Sequence, residues 1–363
     1  MIARLSDSLL LRPCDIRPSQ PGWEVIGVFN PAVATIGDEL VMIARVAERP
    51  TEKRSDWTAL PRWTQSGEVA VDWVRDHELH KTDARVVSLK RSGDLRLTSV
   101  SHFQVFRQSA FGNATWECVN SISPDGSLEE YGIEDPRITK IGNTYWITYV
   151  AVSRAGAATA LLSSADLVEF QRHGVIFASE NKDVVLFPER IAGDFVALHR
   201  PNPRSHFSPP QIWIARSPDL IHWGRHEPIF SGVQTWEDDR VGGGTPPILV
   251  DDGWLTLYHG SQSSNVVGTV GRYAAGALLL DRNDPSRVLS RSSVPIMLPM
   301  TDYETDGFVP NVVFPTAMLV VGDELQVFYG AADTSVAMTQ FSKRSVLDSL
   351  VLQGDSSTCL RPN

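Results

Sequence analysis

The chain has 363 residues, 42% of them hydrophobic, which is enough for one large β domain or two ordinary ones. A formal net charge of -10 excludes the broad basic face of a nucleic-acid binder, although it leaves room for a local basic pocket. Three cysteines, Cys14, Cys118 and Cys359, are odd in number and far apart, which excludes a disulfide framework or a cysteine zinc site and suits a reducing compartment.

The first residues, "MIARLSDSLLLRPCDIRPSQ", carry an Asp inside a short apolar stretch and lack the apolar core of a signal peptide. No apolar run approaches the roughly 18 residues of a membrane span, so a cytoplasmic protein is expected. "NPAVATIGDELVMIAR" (30 to 45) then reads as a strand, a Gly turn and a second strand. The stretch 50 to 82, with Trp57, Trp63 and Trp73, reads as an irregular insertion. "DARVVSLKRSGDLRLTSV" (83 to 100) is strand-like, and "DPRITKIGNTYWITYV" (135 to 150) repeats the first hairpin. The plan returns in "LFPERIAGDFVALHR" (186 to 200), "TPPILVDDGWLTLYHG" (245 to 260) and "VFPTAMLVVGDELQVFYG" (313 to 330). Between these, "SSADLVEF" (163 to 170) and "SPDLIHW" (217 to 223) read as outer hairpins. The anchoring prolines Pro31, Pro136, Pro188, Pro247 and Pro315 stand five to seven residues before glycines 37, 142, 193, 253 and 322. Sheets repeated radially make a β-propeller of one domain, and counting permits five or six blades.

In a propeller, residues before the anchoring prolines (Asn30, Asp135, Phe187) and residues ending the second strands (Arg45, His199, His259) converge at one mouth. Asp135 stands there beside Glu134 in "GIEDPR". Glycoside cleavage needs a carboxylic acid for the leaving oxygen, and then either a second carboxylate to activate water or a cationic cradle for attacking phosphate. Arg154, Lys182 and the pair His199-Arg200 offer such a cradle at comparable positions of neighbouring blades. Other chemistries fit less well. His222 and His226 lie in strand and turn, where their spacing gives no shared helical face for a metal. "GGGTPP" (242 to 247) lacks the GKS/T and the helix of a phosphate loop.

"GIEDPRITKIGNTYWITYVAVS", "NKDVVLFPERIAGDFVALHRP", "SPDLIHWG", "GTPPILVDDGWLTLYHG" and "NVVFPTAMLVVGDELQVFYGAADT" resemble the signature blocks of glycoside hydrolase family 130, and the resemblance runs from about residue 29 to about residue 334. It implies an all-β, five-bladed propeller, with residues 83 to 119 completing the first blade. It also implies inverting phosphorolysis or hydrolysis of β-mannosides without a metal or other cofactor, inorganic phosphate being the co-substrate of the phosphorylases. By resemblance, Asp135 is the general acid, acting through a sugar hydroxyl. Asn30, Arg45, Lys182, Asp183 and Asp333 face the sugar, and Arg154, Lys182, His199 and Arg200 surround phosphate. The sequence departs from the family at Arg240, where phosphorylases often carry lysine, and the block at 83 to 88 maps onto no known specificity. Phosphorolysis giving α-mannose 1-phosphate is the first expectation. An inverting β-mannosidase using Glu189 or Glu237 as base is the second, and a non-catalytic sugar-binding propeller is the rival of another class. Self-association is left open.

Overall fold

Alternating apolar residues around Gly or Asn turns bury one face of each strand against a neighbouring sheet, and the five hairpins of the sequence all form. The structure is a computed structural model that describes residues 2–81, 83–109, 115–202, 207–264 and 270–352. Unit one contains Trp23–Ile36, Glu39–Pro50, Val100–Ser109 and Glu117–Ile122. Unit two contains Gly132–Ile141, Thr144–Ser153, Gly156–Ser164 and Gln171–Phe177. Unit three contains Asn181–Leu186, Phe195–Pro201, Ile212–Ser217 and Gly224–Phe230. In unit four the inner strand is broken into Arg240–Gly243 and Ile248–Val250, followed by Gly253–Ser261, Tyr273–Leu280 and Val288–Ser292. Unit five contains Val313–Val321, Glu324–Ala331 and Ser335–Ser342, and its fourth strand is Ser6–Leu11 from the start of the chain. Within every unit consecutive strands pair antiparallel.

The core is divided among the spaces between units. One cluster joins units one and two (Ile43, Phe103, Ile133, Tyr149), and others join two to three, three to four and four to five. A further cluster (Phe328, Val336, Val28, Met42) packs unit five against unit one, so the sequence of interfaces returns to its start. Neighbouring residues of a strand serve different interfaces, as the pleat requires. Ala197 belongs to the space between units two and three, and Leu198 to the next.

Both outer turns are built alike. Asp166 Oδ1 accepts from the amides of Val168 and Glu169, Asp219 Oδ1 accepts from those of Ile221 and His222, and a buried Leu with positive φ follows each Asp. A second repeated device is absent from the sequence reading. In units two, four and five a short helical turn ahead of the inner strand supplies a buried Glu. It accepts from a second-strand Tyr hydroxyl and from an Arg at the outer strand: Glu129–Tyr149–Arg172, Glu237–Tyr258–Arg291 and Glu304–Tyr329–Arg4.

The stretch expected to be irregular is ordered. Trp57–Trp63 and Val69–Arg75 form a hairpin, in which Arg75 and Arg54 cover the Trp57 and Trp73 rings at 4.6 and 4.2 Å. Pro61 and the closely spaced charges hide its alternation in the sequence. Residues 79 to 97 add a separate three-stranded sheet, so unit one is completed by the strands from Val100 to Ile122 rather than from residue 83. Cys14 and Cys118 are free and exposed, and Cys359 lies outside the described residues. No helix among the described residues is long and apolar enough to cross a membrane.

Candidate active site

The inner strands of units one, two and three share one irregularity. Pairing skips residues between Phe29 and Ala32, between Glu134 and Arg137, and between Lys182 and Val185. Each skip is a bulge, which re-aims a side chain locally. The bulged residues Asn30, Asp135 and Asp183 have φ of 49°, 52° and 58°, a left-handed conformation that Asn and Asp tolerate better than other side chains. All three line one cavity of about 240 Å³. The equivalent of Asn30 and Asp135 in unit three is therefore Asp183, and the convergence expected of Phe187 does not occur. Phe187 lies past the strand end and is buried against Trp254.

Asp135 Oδ1 accepts from Asn30 Nδ2 at 2.8 Å and from Arg45 Nη1 at 3.1 Å. Among the described residues its Oδ2 accepts no hydrogen bond. Arg45 also bonds Glu134 Oε1 at 2.7 Å and Ser101 Oγ at 3.0 Å, with its guanidinium over the Phe29 ring. Beneath the acid, Arg137 is fully buried. It donates to the carbonyls of Asp135 (2.9 Å), Pro136 (3.2 Å) and Gly244 (2.7 Å), which holds the bulge in place from the facing unit. Burial alone would raise the Asp135 pKa, but Arg45, Arg137, the Asn30 hydrogen bond and Lys182 outweigh it, and the carboxyl sits below its usual value. Asp333 moves the other way, because burial together with Asp135 and Glu134 outweighs Arg85 and Arg45.

The remaining wall is mostly charged. Lys182 Nζ stands 3.9 Å from Glu134, and Arg85 Nη1 stands 3.5 Å from Asp333. Arg200 Nε donates to Asp183 Oδ2 at 2.5 Å, and His259 Nε2 lies 3.4 Å from the same oxygen. Burial holds His259 down to about 3, so it is neutral at pH 7. Gly242 runs directly against Asp183 and the His259 ring, where a Cβ would collide with both. The glycine run "GGG" is thus a packing requirement of the inner strand of unit four. Arg85, Arg45, Lys182, Arg200 and Arg240 face Glu134, Asp135, Asp183 and Asp333, so cations predominate in a chain whose net charge is -10.

Of the residues expected from the sequence, Asp135, Asn30, Arg45, Lys182, Asp183, Arg200, His259 and Asp333 meet in this cavity. Besides Phe187, four do not. Arg154 sits in a turn four residues past Val150, the partner of Glu134, hence about 13 Å along the strand. Its side chain is 73% exposed and paired with Glu130. His199 has the opposite parity to Arg200 and points between units two and three, bonded to Asn181 and His226. Burial and His226 lower its pKa to about 3, so it supplies no positive charge. Glu189 is exposed in a bend beyond the far end of its strand. Glu237 is buried in the Glu–Tyr–Arg arrangement of unit four. The sequence reading missed Arg85 and Arg137 as site residues and recorded Arg240 only as a departure. The unexplained block at 83 to 88 was the available signal for Arg85.

A family model for glycoside hydrolase family 130, described as β-1,4-mannooligosaccharide phosphorylase, matches residues 86–352. The chain is 38% identical over 359 residues to a β-1,2-mannobiose phosphorylase of Listeria innocua, covering 97% of this chain and 99% of that one. It is 39% identical over 229 residues to a 1,2-β-oligomannan phosphorylase of Thermoanaerobacter, covering 62% and 73%. The solved complex of a Listeria innocua β-1,2-mannobiose phosphorylase with β-1,2-mannobiose superposes with a TM-score of 0.87 at 37% identity, over 94% of this chain and 96% of the other. With its matched sequence blocks and this near full-length likeness, the chain belongs to glycoside hydrolase family 130.

Proposed function

We propose that this protein is an inverting β-mannoside phosphorylase, with β-1,2-mannobiose as the first substrate to test. We read its five units as the blades of a single five-bladed propeller around the cavity. The cyclic order of the core clusters supports that architecture, since the last cluster packs unit five on unit one. The observation that carries phosphorolysis over hydrolysis is the cavity wall. Five cationic side chains line it, whereas Glu189 and Glu237, the carboxylates considered as a water-activating base, lie elsewhere.

In this mechanism phosphate is held by the cations and attacks the mannosyl anomeric carbon on the face opposite the leaving sugar. The bond from that carbon to the glycosidic oxygen breaks, and a bond to a phosphate oxygen forms. A proton from Asp135, passed through a sugar hydroxyl, neutralises the leaving oxygen. The products are α-mannose 1-phosphate and the shortened mannoside. The same cations that hold phosphate also hold the Asp135 pKa down. An arriving phosphate cancels part of their field, so the acid gains its proton as the nucleophile binds. The test is incubation of purified protein with β-1,2- and β-1,4-mannobiose, with and without phosphate. Release of α-mannose 1-phosphate only with phosphate supports the reading, and free mannose formed at the same rate without phosphate overturns it.

A further inference from the structure

Arg85 lines the catalytic cavity yet belongs to none of the five units. It is carried by the loop between Leu79–Lys81 and Val86–Leu89, the first two strands of the separate three-stranded sheet. Asp83 Oδ1 accepts from the amides of Arg85 and Val86 at 2.7 and 3.1 Å, and Thr98 donates to the carbonyls of Ala84 and Arg85 at 2.8 and 3.0 Å. Asp83 Oδ2 accepts from Arg85 Nη2 at 3.1 Å, which fixes the plane of the guanidinium. Nη1 is left 3.5 Å from Asp333 of unit five and makes no hydrogen bond among the described residues. The side chains of Arg85 and Arg240 are 37% and 36% exposed, against 15% for Arg45 and 6% for Arg200, so these two mark the open end of the cavity. Arg85 alone of the cavity cations also borders a smaller recess of about 200 Å³ with Val270, Phe308, Val309 and Pro310. The first three of these line the catalytic cavity too, so its wall beside Arg85 is apolar.

We infer that Arg85 is a specificity-determining residue for the leaving sugar, the unit beyond the cleaved bond, and that a hydroxyl of that sugar bridges Arg85 Nη1 and Asp333. A hydroxyl both accepts and donates, so it can take the free N–H and give its proton to the carboxylate in one contact. A phosphate dianion there would meet Asp333 and Asp83, so phosphate belongs with the remaining cations. The sugar's apolar C–H face suits Phe308 and Val309. Position agrees with this chemistry, because the part of the substrate that departs must run from Asp135 toward the open end, where Arg85 stands. The inference rests on the β-mannoside phosphorylase reading given above.

The test runs the reaction in reverse, from α-mannose 1-phosphate and free mannose, with Arg85→Ala and Arg85→Lys. In Arg85→Ala the KM for mannose should rise about tenfold, the factor that about 1.4 kcal/mol gives, while the KM for α-mannose 1-phosphate stays within about twofold. Arg85→Lys keeps the charge but lacks the planar fork, and should recover only part of the loss. In phosphorolysis the ratio of kcat/KM between β-1,2- and β-1,4-mannobiose should shrink in Arg85→Ala, since each linkage turns a different edge of the leaving sugar toward residue 85. KM does not depend on how much of the protein is folded, so a loss of stability does not imitate these shifts. An unchanged KM for mannose or an unchanged linkage ratio would overturn the inference. An equal rise for α-mannose 1-phosphate would also overturn it, making Arg85 a support for Asp333. If neither mannobiose is turned over with phosphate, the phosphorylase reading fails and calorimetry decides on Arg85. Binding of β-1,2-mannobiose weakened about tenfold in Arg85→Ala, with phosphate binding unchanged, keeps the inference, and equal or absent binding overturns it.

Discussion

Replacing Arg200 by Met tests how much the Asp183–Arg200 pair, which ties the first two strands of unit three together at the cavity wall, contributes to stability. Both side chains are almost fully buried, at 6% and 2% exposure, and Arg200 Nη1 also bonds Asn202 at 3.0 Å. Burial raises the Asp183 pKa, but Arg200, His259 and Arg137 more than reverse this and take it from the usual 3.8 to about 2. That shift corresponds to about 2 kcal/mol of stability. Because the folded pKa is the lower one, the contribution is complete above the unfolded value and disappears as pH falls toward 2. Arg200→Met leaves a buried, unpaired carboxylate and should cost about 3–5 kcal/mol, a large share of the roughly 5–15 kcal/mol that holds a typical domain together. Its pH dependence should also reverse. Asp183 would then titrate above its unfolded value, so the variant should gain on the wild type as pH drops from 7 to 5. Chemical denaturation at both pH values measures this, and Arg200→Met/Asp183→Asn should recover most of the loss. A cost below about 1 kcal/mol, or a double variant no better than the single, would refute the reasoning.

Asp135→Asn should keep the fold and lower phosphorolysis by several orders of magnitude; activity within about tenfold of wild type would remove Asp135 as the acid. Lys182→Ala should raise the KM for phosphate by one to two orders of magnitude, about 1.5–3 kcal/mol, whereas Arg154→Ala, exposed and paired with Glu130, should change it less than about twofold. Initial rates against phosphate concentration decide between them. Glu237→Gln should cost about 3–5 kcal/mol in denaturation, since it disrupts a buried pair with Arg291 and Tyr258, while kcat per folded molecule stays near wild type. Loss of turnover at full stability would instead restore Glu237 as a base.

The hairpins were legible because Gly37, Gly142, Gly193, Gly253 and Gly322 punctuate strong alternation, a local signal that tertiary packing does not override. The site was legible where a bulge coincides with a proline, as at Asn30-Pro31 and Asp135-Pro136. In unit three Asp183 is followed by Val184 and the proline stands at Pro188, so the repeat alone pointed to Phe187, and Asp183 came only from the family resemblance. Of the pair His199-Arg200 only Arg200 reaches the cavity, because in a strand one residue exchanges one face for the other. The Glu–Tyr–Arg groups stayed hidden because the Tyr and Arg stand 20 to 300 residues from their Glu and share no local spacing. The hairpin around Trp57 and Trp73 was missed because arginines, not apolar neighbours, cover its rings.

Unit five takes its outer strand from Ser6–Leu11, and Arg4 completes its Glu304–Tyr329 group. Ser6 pairs with Gln340, so on a ribosome working at about 5–20 residues per second the first strand waits roughly 15 to 70 seconds for its partner. Throughout that interval "SLLL" is an open strand edge, available to any other nascent chain. Units two and three, whose strands are contiguous in sequence, can close while still tethered to the ribosome. The last sheet forms only once Gln340 has been made, against the entropy of joining segments more than 300 residues apart. A bulky fusion at the N-terminus would therefore burden the final step of maturation, whereas the same fusion placed in an outer turn of unit two would not.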